Sequence, residues 1–347
     1  MSDRNHEVTK PTPLLDPHGA LTEPGWARQL YWTYDRNAIR APKFRIKEWD
    51  YYLVISEKGY GFAFTVSDDG YVGLESVSLL NFNTKWEHTE TVLKPFTMGK
   101  LKLPSTVSDG TTSYRDKRLQ MDFYKTPGKR RIQVSFKNFC DEKPLFADIT
   151  LDEPECDKLV IATPWAEKKT AFYYNCKINC MRASGKVVFD GVTYELDPKT
   201  DFGTLDWGRG VWTYDNTWYW SSGNCDLDGH AFGFNLGYGF GDTSAASENI
   251  FFYDGVGSKL DDVTFAIPEK DGVKQYTDPW TFTSSDGRFY ADFVPIMDRA
   301  AKIDLKVIIS DQHQVFGRMT GHVVLDDGRR IEFRDLLCFA EDVHNKY

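Results

Sequence analysis

The sequence predicts an all-β chain of two tandem antiparallel barrels or sandwiches related by internal duplication, and three observations carry that reading. Eight Asp-Gly pairs punctuate it, beginning at Asp69, Asp109, Asp190, Asp228, Asp254, Asp271, Asp286 and Asp327. Asp-Gly supplies the positive φ that tight hairpin turns require, so the pairs mark a meander of antiparallel strands. Between the turns, apolar residues alternate with a period of two, as in Val187-Val188-Phe189 and in the run from Gln312 to Val324. Only Asp298–Lys302 looks helical.

The third observation is a repeat whose pieces occur twice in the same order. Trp26-Ala27-Arg28 and then Trp32-Thr33-Tyr34-Asp35 recur as Trp207-Gly208-Arg209 and then Trp212-Thr213-Tyr214-Asp215. Trp49-Asp50-Tyr51 is matched by Trp218-Tyr219-Trp220, and Gly59–Val66 aligns without gaps on Gly229–Leu236. Gly185–Gly191 returns as Gly321–Gly328. The boundary is expected near Pro198–Phe202. That gives an arm over residues 1–24, a first β unit over 25–198 and a second over 199–347, which carries the candidate ligand site. Each unit has the size of an up-and-down barrel that closes its own edges.

Composition agrees with two cores and narrows the partners. A chain of 347 residues exceeds the usual size of one core. Ten Trp, 18 Tyr and 24 Phe supply enough rigid apolar surface for thick cores or lined cavities. A formal charge of -9 gives no electrostatic footprint for nucleic acid, and Lys129-Arg130-Arg131 is too short a cluster to change that. Met1–Pro13 is polar, and no apolar run approaches the roughly 18 residues that span a bilayer. The expectation is a cytoplasmic chain with no transmembrane segment; composition leaves the oligomeric state open.

Six cysteines in so long a chain are no disulfide framework and are expected as free thiols. Cys176 and Cys180, four apart, are expected on one face of a strand. No Gly-x-Gly-x-x-Gly, phosphate-binding loop, Gly-x-Ser-x-Gly elbow or His-Glu-x-x-His is present, so no cofactor and no metal are expected. Asp226-Leu227-Asp228-Gly229 lacks the ligand spacing of a calcium loop and reads as a turn.

Comparing the copies points to candidate residues. Along Ala231–Phe240 one strand face is bulky (Phe232, Phe234, Leu236, Tyr238, Phe240) and the other nearly bare (Ala231, Gly233, Asn235, Gly237, Gly239). A bare face either admits a close neighbour or leaves lumen space for a ligand. Arg209 and Trp212, matched by Arg28 and Trp32, are assigned first to architecture and second to ligand contact. Asp206 stands where the first copy has Gly25, His230 where it has Tyr60, and Asn235 where it has Thr65.

A carboxyl desolvated by Trp207, Trp212, Trp218 and Trp220 would have a raised pKa and suit a general acid. Alternatively, Arg209 pairs with Asp206 and makes a structural clamp. His230 opens a strand at a barrel rim, in reach of a ligand or simply solvated. Asn235 offers a donor and an acceptor, and Tyr214 a phenol. Asp206 and His230 are therefore the catalytic candidates. Trp207, Arg209, Trp212, Tyr214, Trp218, Trp220 and Asn235 are the candidate ligand contacts.

The segments Lys47–Tyr52, Leu205–Trp212 and Phe234–Gly237 resemble a bacterial family known as domain of unknown function 2804. The resemblance runs from Gly25 to the C-terminus and is most specific at Asp206-Trp207-Gly208-Arg209-Gly210; Cys338 departs from it, standing where Gly is expected. More distantly, the chain is similar to the lipocalin-like superfamily that contains carotenoid 1,2-hydratases and cofactor-free cyclases.

That resemblance implies a lipocalin-like double barrel and proton-initiated chemistry on an isoprenoid or polyketide-like substrate without metal. Two functions are consistent with it. In one, a cofactor-independent hydratase, isomerase or cyclase uses Asp206 to protonate a lipophilic small molecule. The Trp cluster then stabilises cationic charge while His230 or Asn235 orients water or a substrate oxygen. In the other, the barrel is a non-catalytic carrier or sensor of a lipophilic metabolite.

Overall fold

Four of the Asp-Gly pairs close two-residue hairpins with positive φ at both positions, as in Asp190 (49°) with Gly191 (76°) and Asp228 (53°) with Gly229 (90°). This conformation matches the twist of the flanking strands, which is why Asp-Gly marks them. The computed structural model describes residues 5–304, 306 and 309–346. Among these there is no α-helix, only the short 3-10 segments Arg36–Ala38 and Lys43–Arg45. Asp298–Lys302, expected to be helical, lies instead inside the strand Phe289–Asp304. There it pairs residue by residue with Ile309–Val324. Ladder pairing on a half-buried sheet has overridden a weak local preference. No helix among the described residues is long and apolar enough to cross a membrane.

Two large curled antiparallel sheets share one strand plan. In the first, the hairpin Ile46–Ser56/Tyr60–Asp68 is followed across the sheet by Phe202–Val211, Lys168–Phe189 and Lys143–Asp152. In the second, the hairpin Asp215–Leu227/His230–Tyr238 is followed by Arg330–Lys346, Ile309–Val324 and Phe289–Asp304. Each unit's opening strand therefore pairs with its closing strand. Side chains link the ends of each curl: His88 donates to the Phe139 carbonyl at 2.8 Å in the first, and Phe265 N–H to the Tyr238 hydroxyl at 3.1 Å in the second.

The sheets divide the chain at residues 212–214, not at 198/199. Phe202–Val211 is hydrogen-bonded on both sides inside the first sheet, because the last strand of a closing unit must return to its first. The Trp26 and Trp207 motifs are consequently not structural equivalents. Trp26 sits on the short strand Gly25–Ala27, paired with Leu159–Trp165, whereas Trp207 is central. The expected arm, described from Asn5, binds both units. Leu14 packs into the first core, and the Asn5 side chain bonds Asp261 at 3.1 Å.

Each sheet wraps its own core, and the two pack back to back. Inside the second, Phe232, Phe234, Phe251, Phe282, Phe289, Phe293 and Trp280 are all buried in one cluster. Each such ring contributes roughly 2–3 kcal/mol by burial. These rings fill the interior where a ligand lumen was considered. The bare face of His230–Tyr238 instead looks at the first sheet: a Cβ on Gly233 would lie 2.7 Å from Cys180 Sγ. Its small residues admit a close neighbour. Cys176 and Cys180 face opposite ways, Cys176 into the first core and Cys180 into the contact between sheets. A bulge between Ile178 and Met181, with Cys180 at φ 58°, reverses the alternation.

Two aromatic clusters join the sheets. One contains Trp26, Trp165, Tyr173, Trp212 and Phe240; the other contains Leu53, Phe82, Trp220, Phe316 and Phe339. Trp218 packs against both, and the polar seam between them is the candidate site.

Candidate active site

Alternation along Phe202–Val211 separates its functional side chains. Asp206 points to the seam, while Trp207 and Arg209 point into the first barrel, since residues three apart on a strand lie on opposite faces. The expected Asp206–Arg209 clamp therefore does not form. Arg209, fully buried, pairs with Asp50 at 3.0 Å and donates to the carbonyls of Trp49 and Pro104, both at 2.8 Å. Its guanidinium lies 4.1 Å from the centre of the Trp207 ring, which meets Tyr174 edge-on. Arg209 and Trp207 belong to the first barrel's architecture.

Asp206 is held by donors alone. Lys177 Nζ lies 2.8 Å from Oδ2, and Oδ1 accepts from Asn175 at 2.6 Å and from the Trp49 indole at 3.1 Å. Trp49 reaches it because Gly208, opposite in the ladder, leaves room for the ring. Lys177 also faces Glu248 at 3.8 Å, and its ammonium sits 4.0 Å from the centre of the Trp220 ring on the second sheet. Trp220 donates to Asn235 at 2.6 Å, and Asn235 donates to the Glu248 carbonyl at 2.8 Å. Burial pushes the Glu248 carboxyl up against the opposing pull of Lys177, and Tyr173 donates to it at 2.7 Å. Three donors meet the Asp206 carboxyl, an arrangement that anchors the Lys177 ammonium.

The ladder gives this group a counterpart in the second sheet. Asp206 pairs with Tyr51 on the opening strand and Lys177 on the other side; Glu341 pairs likewise with Trp220 and Gln314. Trp218 donates to Glu341 at 3.3 Å, as Trp49 does to Asp206, and Gln314 donates to it at 2.5 Å. The second carboxyl thus has a neutral neighbour where the first has an ammonium. Burial then pushes the Glu341 carboxyl up to about 7, against the weaker opposing effects of Gln314 and Arg299. Gln314 also reaches the Tyr51 hydroxyl at 3.3 Å across the seam. Glu341, Tyr51, Trp49, Trp218 and Arg299 are half-buried.

Several sequence candidates lie elsewhere. His230 is 49% exposed at the hairpin tip, bonded to Asp254 at 2.6 Å and stacked on Tyr253. Tyr214 is exposed in the connection between the sheets. Trp212 is buried among Trp49, Trp165, Tyr173, Trp218 and Phe240. The structure brings together Asp206, Trp218, Trp220 and Asn235, and adds Lys177, Glu248, Glu341, Gln314, Tyr51 and Arg299.

One sequence signal pointed at the missed pair. Extending the Gly185/Gly321 match backwards brings Lys177 within one position of Gln314, and the bulge at Asn179–Cys180 accounts for that one residue. A surface cleft of about 630 Å³ is lined by Asp152, Glu153, Lys158, Cys180, Arg182 and Ala231, among others. None of its lining residues takes part in the seam network, and Arg182 and Lys158 are committed to Asp226 and Glu153. Among the described residues, no group of three or more His, Cys, Asp or Glu is placed to hold a metal ion.

Two solved structures of low sequence identity share the fold, and a third is more weakly similar. CghA, solved with Sch210972, is 11% identical with a TM-score of 0.56, over 99% of this chain and 96% of that one. A Nitrosomonas europaea protein described as AttH is 13% identical with a TM-score of 0.54, over 89% and 95%. Kievitone hydratase from Nectria haematococca is 11% identical with a TM-score of 0.46, over 97% and 98%. No curated protein sequence matches the chain. The profile of the family described as domain of unknown function 2804 (DUF2804) matches residues 5–347, and the chain belongs to that family.

Proposed function

We propose that the seam between the sheets is the active site of a cofactor-independent acid–base enzyme, of the hydratase, isomerase or cyclase type, acting on a lipophilic small molecule such as an isoprenoid or polyketide. The observation that carries this reading is Glu341, a half-buried carboxyl pushed up to about 7, hydrogen-bonded by the Trp218 indole and by the neutral Gln314 amide rather than by a cation. A group titrating near neutral pH can both give and take a proton, which is what acid–base catalysis asks of it. Trp49 and Trp218 offer apolar walls for a hydrophobic substrate. Asp206 acts here as the positioning residue for Lys177, and His230 stays outside the chemistry.

The test has two parts. Native mass spectrometry of the purified chain identifies a co-purifying lipophile, and turnover of that compound is then compared in wild type and Glu341→Gln. Loss of turnover with retained affinity supports the enzyme. Equal behaviour with no product from either protein favours the carrier or sensor, which would also have to hold its ligand in the seam, since phenyl rings fill the second barrel.

A further inference from the structure

Arg299 lies in the seam with no carboxylate at ion-pair distance among the described residues, although its charge reaches Glu341 and partly opposes the rise of that carboxyl. It lies beyond the bulge between Pro295 and Met297, which turns Met297 and Arg299 toward the first sheet. Nη1 donates to Ser78 Oγ across the seam at 2.8 Å, and the guanidinium charge is felt by the Tyr51 hydroxyl, whose ionisation it favours against burial. No ion pair links Arg299 to a carboxylate among the described residues, whereas Lys177 and Arg209 nearby are both paired. A partly desolvated guanidinium is costly to hold unless an anionic or strongly polar oxygen meets it.

Tyr51 has the complementary property. Its oxygen accepts from Gln314 at 3.3 Å, and no acceptor for its own proton is present among the described residues. A phenol O–H and a guanidinium therefore lie in the same seam, both on half-buried residues. Glu341 is one side chain away, through Gln314.

We propose that Tyr51 and Arg299 form an oxyanion site beside Glu341, and that the substrate is a conjugated or enolisable carbonyl compound whose carbonyl oxygen docks there. This rests on the reading of Glu341 as the acid–base group. The step balances without a co-reactant. The Glu341 carboxylate takes a proton from a carbon α or γ to the carbonyl. The C–H electron pair becomes a carbon–carbon π bond, and the carbonyl π pair moves onto oxygen, where Tyr51 and Arg299 stabilise it. The same carboxyl returns the proton to another carbon of the conjugated system, so one C–H bond breaks, one forms, and the double bond moves.

The probe is 2-naphthol, a planar aromatic enol whose ionisation is read from its absorption and emission. Bound to the full chain it should ionise about one pH unit or more below the free compound. Arg299→Met and Tyr51→Phe should each weaken binding about tenfold and restore ordinary ionisation, with partial rescue in Arg299→Lys. Absence of binding, or unchanged binding and ionisation in Arg299→Met of native circular dichroism, overturns the proposal.

A parallel measurement separates the underlying reading: α-proton exchange of 2-tetralone in D2O, followed by NMR in wild type and Glu341→Gln. Its pH profile is read with the charged groups that act on Glu341, Arg299 and Lys177, and with the nearby Tyr51 phenol in view. Exchange lost in Glu341→Gln while naphthol ignores Arg299 removes the oxyanion site and keeps the acid–base group. Naphtholate that follows Arg299 while exchange survives Glu341→Gln does the reverse.

Discussion

Gln314 donates to Glu341 at 2.5 Å from the ladder position that Lys177 occupies beside Asp206 in the first sheet. Burial raises the Glu341 carboxyl with a neutral amide as its neighbour, and substitution at position 314 can change that neighbour. In wild type the folded chain keeps the Glu341 proton between the ordinary 4.5 and about 7, while the unfolded chain has lost it. Stability contributed through this group therefore falls as pH rises across that window and is level above it, by at most on the order of 3 kcal/mol. Glu341→Gln should remove this component. Gln314→Lys should remove it too, by supplying the counter-ion. Urea unfolding from pH 5 to pH 8 reads the slope; a slope unchanged in both variants refutes the assignment.

Lys177 bridges Asp206 at 2.8 Å and Glu248 at 3.8 Å, and it is buried. Lys177→Met leaves the Asp206 carboxylate without its cation and should destabilise the chain by about 3–5 kcal/mol. Asp206→Leu in the same chain should recover part of that loss, because a buried pair removed together leaves no orphan charge. Denaturation midpoints of the two single variants and the double one test this. Strict additivity would show that the two residues do not act as a pair.

The limits of the sequence follow from these same residues. The Asp-Gly turns and the Trp49/Trp218 match were legible because turn chemistry and aromatic spacing are local. The wrong partner for Asp206 came from reading sequence distance as spatial distance: Arg209 is three residues away and on the other face, while Lys177 is 29 positions earlier and directly opposite in the ladder. Glu341 was invisible for a related reason. Its significance lies in what Gln314 is not, and the bulge at Asn179–Cys180 puts the two penultimate strands one residue out of phase. The filled second barrel was legible as a bulky strand face, but which face turned inward depended on the sheet opposite.

Gly208 lets Trp49 reach Asp206, and a Cβ there would fall inside the indole ring. Gly208→Ala should displace Trp49, break its bond to Asp206 and cost about 1–3 kcal/mol. The indole N–H chemical shift of Trp49 gives a direct readout. An unchanged shift with native stability would mean the ring does not depend on the glycine.

His230, half exposed and tied to Asp254 at a hairpin tip, should tolerate Ala within about 0.5 kcal/mol, with no change in any activity that Glu341→Gln abolishes. A large loss of turnover in His230→Ala would return the rim to consideration and count against the seam.

Glu75 supplies a second buried acid by a different route, and it must be told apart from Glu341. It lies on the strand Val72–Asn81 with no exposed surface, and neither carboxyl oxygen has a hydrogen-bond partner. Burial pushes it up to about 8, only partly opposed by Lys94, while Asp116, Asp68 and Asp69 push the same way. The folded chain keeps this proton from the ordinary 4.5 up to about 8, so its contribution to stability declines through that window and continues to decline after Glu341 has levelled off. Glu75→Gln should leave stability near its wild-type value at pH 5 and raise it by a few kcal/mol, on the order of 3, at pH 8.5. The two effects should add in Glu75→Gln/Glu341→Gln, because sites in different parts of a fold with no shared partner behave independently. Unfolding curves of the four proteins at pH 5, 7 and 8.5 check this. A Glu75→Gln gain complete by pH 7 would show that the carboxyl ionises well below the value its burial implies.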